Sequence, residues 1–167
     1  MIEHGVNVDS VEGHLRAALG NLRVHQRGDR RAPHKPLLVL LALGRVAADH
    51  PRLVPFGEVE EQLAGLLRDF GPPGRPQPRY PFWRLQTDGI WDVIPDLPVD
   101  AGGDPPVDAL RSAHGGFTEP VHRLLRGRPA LVAELAAALL EAEGPASATP
   151  GCPCPVSGPA VRRRPSP

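Results

Sequence analysis

Apolar residues along this chain mark four helical stretches and gather in three further runs of strand-like make-up. Val11, Leu15, Ala18, Leu19 and Leu22 fall on one face of a helix. Asp9 or Ser10 is placed to cap it, and it is expected to end before the polar segment HQRGDRRAP at 25–33. LLVLLALGRVAA at 37–48 is apolar nearly all round, as a central buried helix would be, with Pro36 near its first turn. RLVPF at 52–56 is short and β-like, and Glu58, Val59, Leu63, Leu66, Leu67 and Phe70 then mark an amphipathic helix that Gly71 and Pro72 stop. The runs YPFWRLQ (80–86) and IWDVI (90–94) are separated by Thr87, Asp88 and Gly89. Aromatic and β-branched runs joined by an Asp-Gly turn predict a hairpin. Residues 119–143 read as helix, with apolar positions on both sides of Pro129.

Helix, helix and then a twisted hairpin is the order of a helix-turn-helix followed by a wing. The predicted class is therefore α+β: a mainly helical, winged-helix-like domain with a β-hairpin wing. The 22 prolines and 18 glycines cluster and so draw boundaries. They place one domain at 8–143 and a disordered Pro-rich tail at 144–167, which carries the only cysteines, Cys152 and Cys154. No apolar run approaches the roughly 20 residues needed to span a bilayer, so no membrane partner is expected and the location is read as cytoplasmic.

Nineteen bases balance nineteen acids in the whole chain, so no global field draws it to a polyanion. The local distribution differs. Between Arg16 and Lys35 stand six bases (Arg16, Arg23, Arg27, Arg30, Arg31, Lys35) against the single acid Asp29. Arg75, Arg79 and Arg84 follow with no acid among them, and Asp92, Asp96, Asp100, Asp104 and Asp108 then come without an intervening base. A basic half and an acidic stretch hidden in a neutral total suit a phosphate-binding face; a solvated arginine-rich loop is the plainer reading of the same residues. Read as a strand, YPFWRLQ puts Tyr80, Phe82, Arg84 and Gln86 on one face and Pro81, Trp83 and Leu85 on the other. Phe82, Trp83, Leu85 and Trp91 have a ready role as core, whereas Tyr80 and Pro81 at the hairpin mouth do not. Lys35 at a helix start is unfavourable unless an anion joins it.

Catalytic patterns are missing. Lys35 has Pro33, not a carboxylate, two positions before it, so the common metal-nuclease arrangement does not form. No phosphate-cradling glycine loop and no nucleophile elbow occurs, and no histidine pairs with cysteine at metal spacing. No enzyme activity, metal or cofactor is expected of this chain.

At RRAPHKPLLVLLALGR (30–45), RLVPFGEVEEQLAGLLRDFGPP (52–73) and YPFWRLQTDGIWDV (80–93), and more loosely at 102–111 and 115–125, the sequence resembles the sulfur-binding domain of phosphorothioate-dependent type IV restriction endonucleases. The resemblance implies a partner, double-stranded DNA in which sulfur replaces a non-bridging phosphate oxygen, and a recognition role in restriction. It lacks the HNH nuclease segment, so a separate nuclease is a second implied partner. Carried onto this chain, the resemblance implies a sulfur pocket of Tyr80, Pro81, His34 and Lys35 with Arg84 at its edge. It implies DNA backbone or base contacts from Arg27, Arg30, Arg31, Pro33, Arg79 and Arg111. A phosphorothioate sulfur is large, polarisable and weakly hydrated and can rest on a ring; an oxygen there would lose water uncompensated, at about 1–3 kcal/mol. The competing expectation is a winged-helix transcription regulator that is blind to sulfur.

Overall fold

The computed structural model describes residues 7–28, 34–70 and 74–143, the side chains of 23–28 and 142–143 excepted. Helix α1 (Val8–Gly28) starts one residue before the expected cap, because the Asn7 side chain accepts the Asp9 amide at 3.1 Å. Its backbone also continues helical past His25 to Gly28. Leu15, Ala18, Leu19 and Leu22 are buried, as their spacing predicts. Helix α2 (His34–Ala47) follows and buries Pro36, Leu37, Leu38, Val39, Ala42 and Leu43.

Strand β1 (Val54–Pro55) runs straight into α3 (Phe56–Phe70), whose inward stripe is Phe56, Val59, Leu63 and Leu67. The expected first strand of the hairpin is instead helix: α4 spans Arg79–Arg84, and a 3₁₀ turn continues it over Leu85–Asp88. Two features decide this. Pro81 has no N–H to give a ladder, but in the first turn of a helix that donor has no intrahelical partner anyway. Gly89, read as a hairpin turn, stands at φ +73° as the left-handed cap that ends the turn, its N–H bonded to the Gln86 carbonyl. Phe82 and Leu85 thereby reach the core from one helical face, both completely buried.

Strand β2 (Trp91–Ile94) does exist, but its partner is β3 (His114–Phe117), 20 residues further on, with Trp91 opposite Phe117 and Ile94 opposite His114. The intervening segment contains α5 (Val107–Arg111). β3 also pairs with β1, so the antiparallel sheet has the order β1-β3-β2. With α3 and α4 between β1 and β2, this is the winged-helix order, the wing being the β2–β3 pair with an enlarged loop. The helical C-terminal stretch breaks at Arg128 into α6 (Glu119–Gly127) and α7 (Pro129–Glu143), Pro129 opening the second.

A row of edge-to-face rings joins the sheet to the helices: Phe56 on Phe82 at 4.9 Å, Phe82 on Trp91 at 5.7 Å, and Trp91 on Phe117 at 5.8 Å. At the rim, Arg16 of α1 grips Glu134 of α7 at 2.8 Å, while Glu12 also binds Arg16 and Arg128. Among the described residues no helix is long and apolar enough to cross a membrane.

Candidate nucleic-acid interface

The site is built on the first turns of two helices that pack together, α2 and α4. His34 opens α2 and Tyr80 sits in the first turn of α4. Both line one open depression of about 270 Å³, walled by Leu67 of α3 and by Pro76 and Gln77, with Arg75 at the lip. His34 is half-buried, and its Nδ1 is enclosed without a hydrogen-bond partner among the described residues. Burial holds its pKa below the ordinary histidine value, so the ring is neutral at physiological pH.

Helical geometry, not strand geometry, sets what surrounds Tyr80. Arg84 lies one helical turn on and Arg79 is adjacent; their guanidinium carbons stand 5.0 Å and 4.5 Å from the ring centroid. Both are within cation–π range. Arg79 also donates to the Tyr80 hydroxyl at 2.6 Å. Arg84 in turn is held by Asp104: Nε to Oδ1 at 3.1 Å and Nη2 to Oδ2 at 2.7 Å, a bidentate pair. The hydrogen bond to Asp104 raises the pKa of Arg84, and the same bond lowers that of Asp104.

Lys35 does find its anion. Its ammonium lies 2.6 Å from Asp88 Oδ2, at the end of the turn that follows α4. Thr87, whose hydroxyl donates to the Arg84 carbonyl, lies within 3.5 Å of the same ammonium. This pair answers the mismatch of a cation at a helix N-terminus and ties α2 to α4.

The structure thus brings His34 and Tyr80 together on one depression, with Arg79 and Arg84 on the Tyr80 ring, while the Lys35 side chain turns to Asp88 and Thr87. Pro81 belongs to the same turn but is buried, so it shapes the backbone under Tyr80 and does not present an open ring. Arg111 is on α5, where its partners are Glu60 of α3 at 3.8 Å and Asp108 at 3.6 Å, not the Tyr80 cluster. Arg27 is in the last turn of α1, but its side chain, like the whole of Arg30, Arg31 and Pro33, lies outside the described residues. Sequence pattern does not single out Asp88, Pro76, Gln77 or, above all, Asp104. Asp88 looks like a turn residue and Asp104 like one of five carboxylates in a connection; nothing in a 20-residue separation signals that it closes on Arg84. Among the described residues no three His, Cys, Asp or Glu side chains converge as a metal site would require.

A winged-helix-type α+β domain that stacks guanidiniums on a half-buried tyrosine beside a shallow half-apolar depression has the attributes of a nucleic-acid-binding module. Comparison narrows the class. The family model of the ScoMcrA-like DNA sulfur-binding domain matches residues 12–143, and the chain belongs to that family. Among solved structures it is similar to the "Sulfur binding domain of ScoMcrA complexed with phosphorothioated DNA", at 33% identity and a TM-score of 0.60 over 65% of this chain and 73% of that one. The "Sulfur binding domain of SprMcrA complexed with phosphorothioated DNA" matches at 26% identity and a TM-score of 0.52 over 80% of this chain and 93% of that one. The "Type IV phosphorothioation-dependent restriction endonuclease ScoMcrA" matches at 31% identity and a TM-score of 0.60 over 68% of this chain, which spans 27% of that longer protein. No curated protein sequence matches.

Proposed function

We propose that this chain is a reader of phosphorothioated double-stranded DNA, acting as the recognition part of a type IV restriction system and leaving cleavage to a nuclease segment outside residues 8–143. The observation that carries the reading is the placement of Tyr80 and His34 across one open depression, with Arg75, Arg79 and Arg84 around it. Sulfur would rest against the Tyr80 ring edge and the neighbouring Pro76 and Leu67 surface. Neutral His34 would close the other side, able to contact a weakly hydrated atom without demanding a strong acceptor. Pro81, buried behind Tyr80, fixes the turn that presents the ring. Lys35, through Asp88, holds the start of α2 against α4. Arg79 and Arg75, neither of which is paired with a carboxylate among the described residues, would take the adjacent phosphates, and this contribution would be salt-dependent and indifferent to sulfur. Arg27, Arg30, Arg31, Pro33 and Arg111 are proposed as further backbone or base contacts on the strength of the family resemblance.

The test is a pair of titrations at fixed salt, with one short duplex carrying or lacking a single phosphorothioate of defined stereochemistry. The sulfur duplex is expected to bind at least about tenfold tighter, the equivalent of about 1.4 kcal/mol. Tyr80→Ala is expected to remove most of that difference, while Tyr80→Phe, which keeps the ring and loses only the Arg79 hydrogen bond, keeps most of it. Equal binding of the two duplexes over several flanking sequences would leave a DNA binder blind to sulfur.

A further inference from the structure

The cations nearest Tyr80 are not equally available to a phosphate. Arg84 stands half exposed, whereas the Asp104 carboxylate that holds it is only 16% exposed. That carboxylate is mounted rigidly. Residues 100–104 form a tight loop in which the Asp100 carboxylate accepts the amides of Gly102 and Asp104 at 2.8 Å and 3.2 Å, and the Asp100 amide donates to the Asp104 carbonyl at 3.0 Å. Gly103, at φ +80°, lends its carbonyl to the Trp83 indole N–H at 2.8 Å. The loop is therefore closed on itself and pinned to α4, beside the arginine it engages. It lies within a segment that reads in sequence as a plain acidic connection, and the reader function proposed above does not use it.

We propose that Asp104 is a selectivity determinant of this site, acting through Arg84. A guanidinium has five N–H donors and one positive charge; Asp104 takes two of the donors and offsets the charge. Arg84 still offers its flat face to the Tyr80 ring, but it no longer rewards an incoming anionic oxygen as an unpaired arginine would. An ordinary phosphate gains affinity chiefly from charge-assisted hydrogen bonds, whereas sulfur gains it from surface contact. Withholding the charge of Arg84 therefore penalises unmodified DNA more than phosphorothioated DNA, and discrimination rises by weakening the competitor. Asp104 is a positioning residue, since its effect passes through Arg84, which it touches.

The inference rests on the reader function proposed above, and its test separates the two. Binding of the unmodified and the phosphorothioated duplex is measured against salt for the wild type, Asp104→Asn, Arg84→Gln and the double variant, each first confirmed as folded by thermal unfolding. Asp104→Asn is expected to tighten binding of the unmodified duplex by about threefold to tenfold at low salt and to steepen its salt slope by about 0.9, the value of one additional phosphate contact. The phosphorothioated duplex gains less, so the preference shrinks. In the Arg84→Gln background the same substitution is expected to change slope and affinity by well under half as much, what is left being the weaker pull between Asp104 and Arg79. Unchanged affinity and slope for unmodified DNA in Asp104→Asn, equal weakening of both duplexes, or an equal effect with and without Arg84 would each overturn the proposal. A wild type without sulfur preference would sink the reader function, and the slope on unmodified DNA would still decide whether Asp104 masks Arg84. If Asp104→Asn fails to fold, Asp104→Ser takes its place in the same titrations, with the same outcomes supporting or overturning the role of Asp104.

Discussion

Gly115 and Gly116 carry more of this fold than any reading of hydrophobic spacing would assign them. A β-carbon on Gly115 would stand 2.4 Å from the Phe82 ring, and one on Gly116 would stand 1.9 Å from the Arg52 carbonyl oxygen. The ring can shift a little, whereas the backbone oxygen cannot move without breaking the approach of residue 52 to the sheet. Gly116→Ala is thus expected to cost about 2–3 kcal/mol from overpacking, seen as a fall in Tm of roughly 6–11 °C. A fall of less than about 3 °C would mean that β3 lies further from residue 52 than described. The same scale shows what was legible in the site. Tyr80, His34, Lys35, Arg79 and Arg84 stand out as polar or aromatic residues without a good place in a core, and the fold gathers all of them but Lys35, which turns to Asp88. Asp104 and Asp88 were not legible, because a carboxylate's partner is set by how the chain returns and not by its neighbours in sequence.

At the scale of elements, the instructive case is α4. Its seven-residue neighbourhood YPFWRLQ is rich in strand formers, and alternation and helical periodicity cannot be told apart over so short a run. The choice falls to helix because Phe82 and Leu85, three apart, can then both enter the core while Tyr80 and Arg84 stay together outside it. Phe82 is the link, touching Phe56 of α3 on one side and Trp91 of β2 on the other. Phe82→Ala is expected to destabilise the domain by about 3–5 kcal/mol and to loosen α4, so that sulfur preference is lost with stability; Phe82→Leu should retain much of both. Chemical denaturation of the three proteins checks the order, and an alanine variant as stable as the wild type would refute the role given to this ring. β3 escaped sequence reading for the opposite reason: His-Gly-Gly-Phe has poor strand propensity, and only the demand for close approach on both faces makes it a strand.

For the molecule as a whole, stability should respond to pH through its enclosed histidines. Burial depresses the pKa of His34, and burial together with the nearby Arg126 charge depresses that of His122. His122 Nε2, like His34 Nδ1, is enclosed without a hydrogen-bond partner among the described residues. With folded-state pKa values below the unfolded value of about 6.5, the unfolded chain binds more protons as pH falls through that value. Stability is therefore complete above it and is lost on acidification toward the folded values. Tm is expected to be level from pH 8 to 7 and to decline between pH 6.5 and 5.5. Glu12, Asp104 and Glu134, whose pKa values their arginine partners lower, act in the same direction only lower down, below about pH 4.5. A Tm that rises from pH 7 to 5.5 would reverse the sign and exclude buried neutral imidazoles.

Local pattern was enough for the helices of clear apolar make-up, α1, α2, α3 and the helical character of 119–143, though not its break at Arg128, and for the mainly helical α+β class and the basic and aromatic residues of the site. Those follow from periods of 3.6 residues and from side-chain chemistry, which are local. That 80–88 is helical, that β2 pairs with a strand 20 residues away, and that Asp104 and Asp88 close on Arg84 and Lys35 came from the folded chain alone. Each of those depends on which distant surface is available to bury a ring, complete a ladder or meet a charge, and that availability exists only once the chain has folded.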